Sequence, residues 1–591
     1  RGIWYCDNDY ARRNRMGGLL LNAGHALELG YLSKQQLQEH PEWVATVDGK
    51  PNPHRLKWSA PGLAEAIADT IIAQLDKEPT TLSVSLSPDD GLGFDNSPED
   101  RALDAGDWDP VFGDNSITDR LIWFCNRVAG RVTEKHPDVL FGLLAYVNYN
   151  RPPVREEVHP NIVPQIAPIT YSRAQPMTDD GEPNNKALRY LVEGWGKAAK
   201  MTSYYFYGWN LAEPAAPNPF ITKWSVDIPI IYEKGNCRLW QPETTANFES
   251  TLHGLYLGIR LAWDPRQDPR AIIDEFHQVF YGHAAAEMSE YWRFIDRLWV
   301  STPEYSGCGF SYMRRFTPER MARARQLMNK AIAACRTPQE KARVEMADLS
   351  LQLHERFMKL RWDLAEGRFG ALAEEARQYR AWIEQLALDY RPQFAFGYMP
   401  WVYGGKGGSL YSAYFAAFFQ PAYDDATRIW RDFLILTTPP LRQWRYWADE
   451  QKRGEAAGAA REDFDDSAWK ATDPCVETWS TVGYHNYMGA MWYRQKVALP
   501  QVPQGKGVYL WIASTDGSAR VFVNGQAAPY VTPLGEQKGD FNGYCQPASF
   551  DVTGAVRAGE NQVAILCERT FLNELGTGGL LGPVVIYCQR D

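Results

Sequence analysis

Two adjacent carboxylates follow the most regular strand-like run of the chain. Asp89 and Asp90 come shortly after the run 81–86, within the sequence Ser-Pro-Asp-Asp-Gly. Adjacent carboxylates can divide the work of glycosidic-bond cleavage: one donates a proton and the other steadies charge or a participating group of the substrate. Two like charges close together also raise the pKa of one of them, which suits a general acid. An ordinary Asp-Gly turn without function is the alternative interpretation.

A second carboxylate is needed if only one of these aspartates acts. Glu243 follows the run 237–240 and is the first candidate, and Glu213 is the next. Glu156 and Glu157 lie farther from their strand and rank behind both. For each of these glutamates, exposure to solvent in a loop is the common alternative.

Aromatic, amide and imidazole side chains follow other strand-like runs in the first 250 residues. A flat ring stacks well on the apolar face of a sugar, and polar side chains can hydrogen-bond its hydroxyls. We therefore expect a set of these residues to contact a substrate, with packing in the core as the alternative for each. They are His25, Tyr146, Asn148, Tyr171, Tyr207, Trp209 and Trp240.

The elements that must position these residues alternate between strand and helix over roughly the first 300 residues. Stripes at helical spacing separate the strand-like runs, for example Leu63, Ile67, Ile71 and Leu75. This alternation is typical of a (β/α)8 TIM-like barrel, whose active site lies at the carboxyl ends of its strands. The predicted fold class is therefore multidomain α/β plus all-β, and it begins with a TIM-like catalytic barrel over residues 1–300.

Two further regions complete the predicted organisation. Residues 301–440 are predicted to be helical, with a capping box at 337–340 as one of the helix-start signals. Residues 441–591 change to short alternating strands, with Asn524-Gly525 as a hairpin turn. This last region is predicted to be a β-sandwich of the jelly-roll type.

Composition and motifs exclude several classes of function. The 591 residues carry a net charge of −10 and no Lys/Arg-rich tract, which argues against nucleic-acid binding. No apolar run is long enough to span a bilayer. No HExxH, GxSxG, P-loop or GxGxxG motif stands out, and the nine cysteines form no CxxC pair. We therefore expect no metal and no other cofactor, and we expect the cysteines to be small buried hydrophobes.

Several short motifs occur in an order that resembles a bacterial family. They include Arg13-Asn14-Arg15-Met16, Gly24-His25, His40-Pro41-Glu42-Trp43, the run 83–91, Asn126-Arg127-Val128-Ala129 and Ala262-Trp263-Asp264-Pro265. Over roughly residues 1–300 the chain resembles the domain of unknown function 4838 family, which includes glycoside hydrolase family 163. The resemblance implies a β/α-barrel glycosidase. Family 163 enzymes are endo-β-N-acetylglucosaminidases that act on N-glycans.

The resemblance also implies roles for the carboxylates. Asp90 would be the general acid and Asp89 would orient the substrate or its N-acetyl group, with Glu243 as the alternative acid or as a nucleophile. Hexosaminidases have Asp-Glu where this chain has Asp-Asp, and many relatives carry a cysteine cluster that residues 91–95 lack. The expected partner is an oligosaccharide or a glycoprotein glycan. The expected location is secreted or periplasmic.

The C-terminal part resembles the jelly-roll sugar-binding domains that flank many glycosidases, through the runs 463–469, 492–494 and 521–525. Three other functions stay open on the sequence. One is an α-glucuronidase-like hydrolase, and another is a non-catalytic glycan-binding protein, because fold does not fix function. The third is a polysaccharide lyase with a tyrosine or histidine base and an arginine that neutralises a uronate.

Overall fold

The structure is a computed structural model that describes most of the chain. The described residues are 8–28, 30–208, 216–243, 248–302, 309–389, 398–399, 408–532, 537–538, 541–570 and 578–590. Trp209 and Glu213, two of the predicted site residues, lie outside them. Within these ranges, no helix combines the length and the apolar character that crossing a membrane requires.

Five parallel strands form the sheet of the first half of the chain. They are β1 (Ser83–Ser85), β2 (Leu140–Ala145), β3 (Ile162–Ile166), β4 (Thr202–Tyr204) and β5 (Cys237–Trp240). Their order in the sheet follows their order in the chain. A parallel bridge between His25 and Ser87 places the segment 21–25 beside β1.

One long helix precedes β1, and others connect β1 to β2, β3 to β4 and β4 to β5. In Leu63–Lys77 the predicted stripe of leucines and isoleucines is at most 2% exposed, because it packs into the core. The other long helices of this half are Thr118–Thr133, Asn185–Ala198, Ile221–Glu233, Phe248–Trp263, Pro269–Tyr281 and Ala285–Val300. Short helices lie at Asn8–Arg13, Lys34–Glu39 and Pro98–Arg101, and short antiparallel pairs are formed by Val44–Val47 with Lys50–Leu56 and by Trp108–Asp109 with Asp114–Asn115.

The parallel sheet is strongly curled. Leu21 and Ala23 pack against Val163 of β3, although three strand spacings of about 4.8 Å each would separate them in a flat sheet. Gly142 of β2 lies so close to the same segment that an added Cβ would stand 2.1 Å from the carbonyl oxygen of Asn22. Within the described residues the sheet has five strands and one bridging segment, so closure into an eight-stranded barrel stays a prediction.

Helices occupy most of the described residues between 312 and 432. They are Tyr312–Arg315, Pro318–Ala334, Pro338–Ala365, Leu372–Asp389, Leu410–Phe418 and Gln420–Asp432. The predicted capping box is present: the Thr337 side chain accepts from the Glu340 amide, and the Glu340 carboxylate accepts from the Thr337 amide. Short strands at Tyr398–Met399 and Gly408–Ser409 pair just before the helix Leu410–Phe418.

From residue 433 onward the chain forms a large antiparallel sheet. Its strands are Phe433–Ile435, Trp444–Asp449, Lys470–Thr472, Gly489–Leu499, Val508–Val523, Gln526–Ala528, Tyr530–Val531, Gln537–Lys538, Phe541–Asp551, Gly559–Arg569, Gly579–Leu580 and Val584–Gln589. This sheet begins before the predicted boundary at residue 441. The division into three domains at 300 and 440 stays a prediction.

The longest strand of this sheet, Val508–Val523, changes partners along its length. Its first half, 508–512, pairs with Val584–Gln589, and its second half, 518–523, pairs with Gly559–Arg569. The register is irregular between Ile512 and Asp516, and such a bulge bends a strand. Side chains from both halves of the strand belong to one apolar core. The β-sandwich of the jelly-roll type stays a prediction.

Candidate active site

A cleft of about 550 Å³ opens at the carboxyl ends of the parallel strands. Most of its wall consists of every second residue along successive strands, because side chains of a strand point alternately to the two faces of a sheet. These residues are Leu21, Ala23, His25, Leu144, Tyr146, Gln165, Ala167, Ile169, Tyr205, Tyr207, Gln241 and Glu243. Asn22, Gly24, Asp90, Arg173 and Tyr414 complete the lining.

Asp90 and Glu243 bring two carboxyl groups to this cleft. Asp90 follows β1 and Glu243 follows β5, the two outer strands of the five-stranded sheet, so the curl of the sheet is what brings them to a common cavity. The backbone of Glu243 is fixed by two hydrogen bonds. Its N–H donates to the carbonyl of Phe206 at 2.7 Å, and its carbonyl accepts from the N–H of Gly208 at 2.8 Å.

His25 stands beside Asp90. Its Nδ1 lies 2.6 Å from the carbonyl oxygen of Pro88. A carbonyl oxygen only accepts, so Nδ1 carries the proton and donates it. Nε2 faces Asp90 Oδ1 at 3.9 Å, and the ring packs against that of Tyr146 with a centroid distance of 5.9 Å. A neutral His25 therefore offers an acceptor next to the Asp90 carboxyl, and a protonated His25 offers it a positive charge.

Two buried polar side chains, Glu28 and Arg55, hydrogen-bond to the backbone of the Asp89-Asp90 turn. Glu28 Oε2 accepts the Asp89 N–H at 2.5 Å, and Arg55 Nη2 donates to the Asp90 carbonyl at 2.8 Å. Burial raises the pKa of Glu28 to about 7, although the Asp89 N–H and the Arg55 charge both act to lower it. The Asp90 carboxyl itself is 68% exposed. The backbone of the turn is thus anchored while the Asp90 carboxyl is open to a ligand.

The structure brings some of the predicted site residues together and separates others. His25, Asp90, Tyr146, Tyr207 and Glu243 share the cleft. Asp89 is not among the residues that line it, and the paired action of the two aspartates stays a prediction.

Three other predicted contacts lie away from the cleft. Asn148 lines a separate cavity of about 600 Å³ with Asp95 and Arg120. Tyr171 is 1% exposed in the core, and burial raises its pKa well above the usual value. Trp240 is 4% exposed and its ring lies 5.6 Å from that of Trp224. None of the three is among the residues that line the cleft, and their contact with a substrate stays a prediction.

The cleft also contains residues that the sequence did not single out. Gln165 Nε2 donates to Ser203 Oγ at 2.9 Å and lies 3.4 Å from Gln241 Oε1. The guanidinium of Arg173, which is 4% exposed, lies 4.9 Å from the centre of the Tyr207 ring. Among the described residues, no three His, Cys, Asp or Glu side chains are placed to hold a metal ion. Six of the seven cysteines within those ranges are buried.

Residues 19–293 match the family described as Domain of unknown function (DUF4838), which is slightly less than half of the chain. A search of curated proteins gave no match.

Solved structures with local similarity to the chain are glycoside hydrolases. A β-glucuronidase from Bacteroides uniformis is 23% identical, with 25% of this chain and 17% of that chain covered and a TM-score of 0.20. A β-glucuronidase from Ruminococcus gnavus is 17% identical, with coverages of 27% and 30% and a TM-score of 0.22. A β-glycosidase from Bacteroides vulgatus is 18% identical, with coverages of 27% and 20% and a TM-score of 0.21. The chain spans less than a third of each, so we base the function on the cleft.

Proposed function

We propose that this protein is a glycoside hydrolase. The carboxyl groups of Asp90 and Glu243 act on a glycosidic bond of a substrate that binds between them. The observation that carries the proposal is the presence of two carboxyl groups, borne by opposite edges of one curled sheet, in a cleft lined by tyrosines. Most glycosidases catalyse this reaction with a pair of carboxyl groups that flank the scissile bond. Tyr146, Tyr205 and Tyr207 supply rings on which a sugar can stack.

In this proposal Asp90 donates a proton to the leaving oxygen. With its proton on Nδ1, His25 has an acceptor at Nε2, 3.9 Å from Asp90 Oδ1, which can orient the protonated carboxyl. Glu243 acts from the other edge of the sheet, either as the nucleophile or as the base that activates water. Gln165 lies on the central strand β3 and Gln241 lies two residues before Glu243; their amides line the same cleft, where they can bind sugar hydroxyls.

Glycans that contain N-acetylhexosamine are the first substrate class in the proposal. The choice rests on the resemblance of roughly residues 1–300 to a family that includes endo-β-N-acetylglucosaminidases. Such glycans occur outside cells, so the proposal includes a secreted or periplasmic bacterial enzyme. Fractionation of the producing cells checks the location.

A uronic-acid glycoside is the second candidate, because a cation lines the cleft. The guanidinium of Arg173 lies in the wall beside Tyr207. Arginine matches a carboxylate in both charge and geometry. If uronides are cleaved, Arg173→Gln should raise KM for them much more than it changes KM for an uncharged analogue.

A glycan panel tests both candidates. Complex and high-mannose N-glycoproteins and uronic-acid oligosaccharides are incubated with the protein, and the products are identified by mass spectrometry. Asp90→Asn and Glu243→Gln should each lower kcat by roughly 10²–10⁴-fold on the glycan that is cleaved. Asp180→Asn, at a carboxyl that is 80% exposed outside the cleft, is the matched control.

Each outcome of the panel decides between functions. Cleavage that leaves one N-acetylglucosamine on the protein supports the endo-acting hexosaminidase, and cleavage of uronides alone supports the second candidate. Unsaturated products that absorb ultraviolet light indicate a lyase. Binding without cleavage of any glycan indicates a non-catalytic binding protein. Normal turnover by both carboxyl variants would contradict the proposed roles of Asp90 and Glu243.

A further inference from the structure

The helix Leu410–Phe418 carries aromatic rings from the cleft towards the antiparallel sheet. Tyr414 lines the cleft. Phe418 lies one turn further along the helix, with its ring 6.0 Å from that of Tyr414 and only 19° from parallel to it. Tyr544, on the strand Phe541–Asp551, follows at 5.3 Å and nearly perpendicular to the Phe418 ring. We call Tyr414, Phe418 and Tyr544 the aromatic row.

Direct contacts between helix and sheet hold this row in place. Gln546 Nε2 donates to the carbonyl of Ala417 at 3.0 Å, next to Phe418, and to the carbonyl of Tyr544 at 3.3 Å. Tyr414 and Phe418 are partly exposed, and Tyr544 is 38% exposed. The row therefore offers aromatic surface to solvent at fixed spacing.

The far end of the row adjoins a second cavity, of about 470 Å³. Tyr544 forms part of its wall together with the side chains of Asn542, Gln546, Asp424 and Arg428. An aromatic ring surrounded by amide, carboxylate and guanidinium groups can meet both the apolar face and the hydroxyls of a sugar. The row thus joins two cavities that each contain a tyrosine and amide groups.

We propose that the aromatic row binds the part of an oligosaccharide that extends beyond the sugar in the cleft, and that the second cavity receives a sugar further along the same chain. The inference rests on the proposed glycosidase function and adds a property of the substrate: it is an oligosaccharide of several sugars rather than a single terminal sugar. The ring centroids along the row are 6.0 Å and 5.3 Å apart. Tyr414 and Tyr544 are then specificity residues that lie outside residues 19–293, the range of the family match.

Binding of a glycan to the Asp90→Asn protein tests this directly. The two probes are a complex biantennary N-glycan and its core disaccharide N,N′-diacetylchitobiose, each titrated by calorimetry. Adding Tyr544→Ala should weaken binding of the biantennary glycan by about tenfold, or ~1.4 kcal/mol. The loss should grow with chain length, since the disaccharide is too short to reach the second cavity. Tyr544→Phe keeps the ring and should restore most of the affinity.

Tyr190→Ala is the control, because Tyr190 is 41% exposed on a helix that does not belong to the row. Three results would overturn the inference. The Asp90→Asn protein does not bind the biantennary glycan, or it binds this glycan equally well with and without Tyr544→Ala. In the third, Tyr544→Ala lowers the affinity for both probes by the same factor. Cleavage by the native enzyme is read separately. If the glycan is cleaved and Tyr544→Ala has no effect on binding, the hydrolase proposal stands and the aromatic row is refuted. If binding depends on Tyr544 but no glycan is cleaved, the row stands and the hydrolase proposal is refuted.

Discussion

The buried carboxyl group of Glu28 makes a quantitative prediction about stability. Its side chain is 3% exposed, and burial raises its pKa from the ordinary 4.5 to about 7. Its Oε1 accepts no hydrogen bond from any residue that the structure describes. In the folded protein the neutral acid is therefore favoured, and ionisation at alkaline pH costs free energy.

The sign and the size follow from the two pKa values. Between pH 4.5 and 7 the folded state binds more protons at Glu28 than the unfolded state does. The contribution of Glu28 to the free energy of unfolding is therefore fully present below pH 4.5 and is lost as the pH rises through 7. At about 1.4 kcal/mol per pKa unit, the total is about 3 kcal/mol, most of it between pH 5 and 8.

Glu28→Gln removes this dependence because the amide stays neutral and its oxygen can still accept the Asp89 N–H. The free energy of unfolding of the variant relative to the native protein should therefore rise by up to about 3 kcal/mol from pH 5 to pH 8. For the predicted domain of about 300 residues, that corresponds to a shift of roughly 5 °C in the melting temperature. Burial also raises the pKa of Glu182 to about 7 and that of Glu249 to about 8, but both groups are present in the two proteins and cancel in the difference.

Urea unfolding, followed by tryptophan fluorescence at half-unit steps of pH, measures the difference. Glu78→Gln is the control, because Glu78 is exposed at the end of the helix Leu63–Lys77. Curves for Glu28→Gln and the native protein that stay parallel from pH 5 to pH 8 would refute the reasoning. A difference that falls with rising pH would refute it as well.

Three further predictions concern packing and charge. Gly142→Ala should destabilise the protein by at least ~2 kcal/mol in urea unfolding, since its Cβ would meet the carbonyl of Asn22, whereas Gly130→Ala, with nothing within 4 Å, should not. Lys223→Met should lower the free energy of unfolding by about 3–5 kcal/mol in the same assay, because the buried Asp227 carboxylate loses the ammonium group that lies 2.9 Å away. Adding Asp227→Leu should recover part of that stability. His25→Gln should lower kcat/KM on the cleaved glycan by about tenfold, since the ring nitrogen that faces the Asp90 carboxyl is lost; unchanged kinetics would contradict its role.

The sequence predicted the polar ends of the strands but not which side chains face the cleft. Tyr205 and Tyr207 line it, whereas the neighbouring Tyr204 and Phe206 do not. The same alternation places Glu243 in the cleft and Trp240 in the core. A period of two along each strand was available in the sequence. Counting back from Glu243 would have selected Gln241 and rejected Trp240.

Other parts of the cleft left no local signal. Tyr414 reaches it from a helix in the second half of the chain, and a partly exposed tyrosine on a helix looks like any surface residue. The separation of Asp89 from Asp90 was equally hidden. Which of two neighbouring carboxyls faces the cleft depends on the anchoring of their turn by Glu28 and Arg55, which come from distant parts of the chain.

The curl of the parallel sheet connects these observations. Asp90 and Glu243 belong to opposite edges of five strands, so in a flat sheet about 19 Å would separate them, at about 4.8 Å per strand. They share one cleft because the segment 21–25 folds over towards Gly142 and Val163. The residue that permits this approach has no side chain and no part in the chemistry. A glycine inside a strand normally weakens it, and here that loss accompanies the curvature that brings the two carboxyl groups to a common substrate.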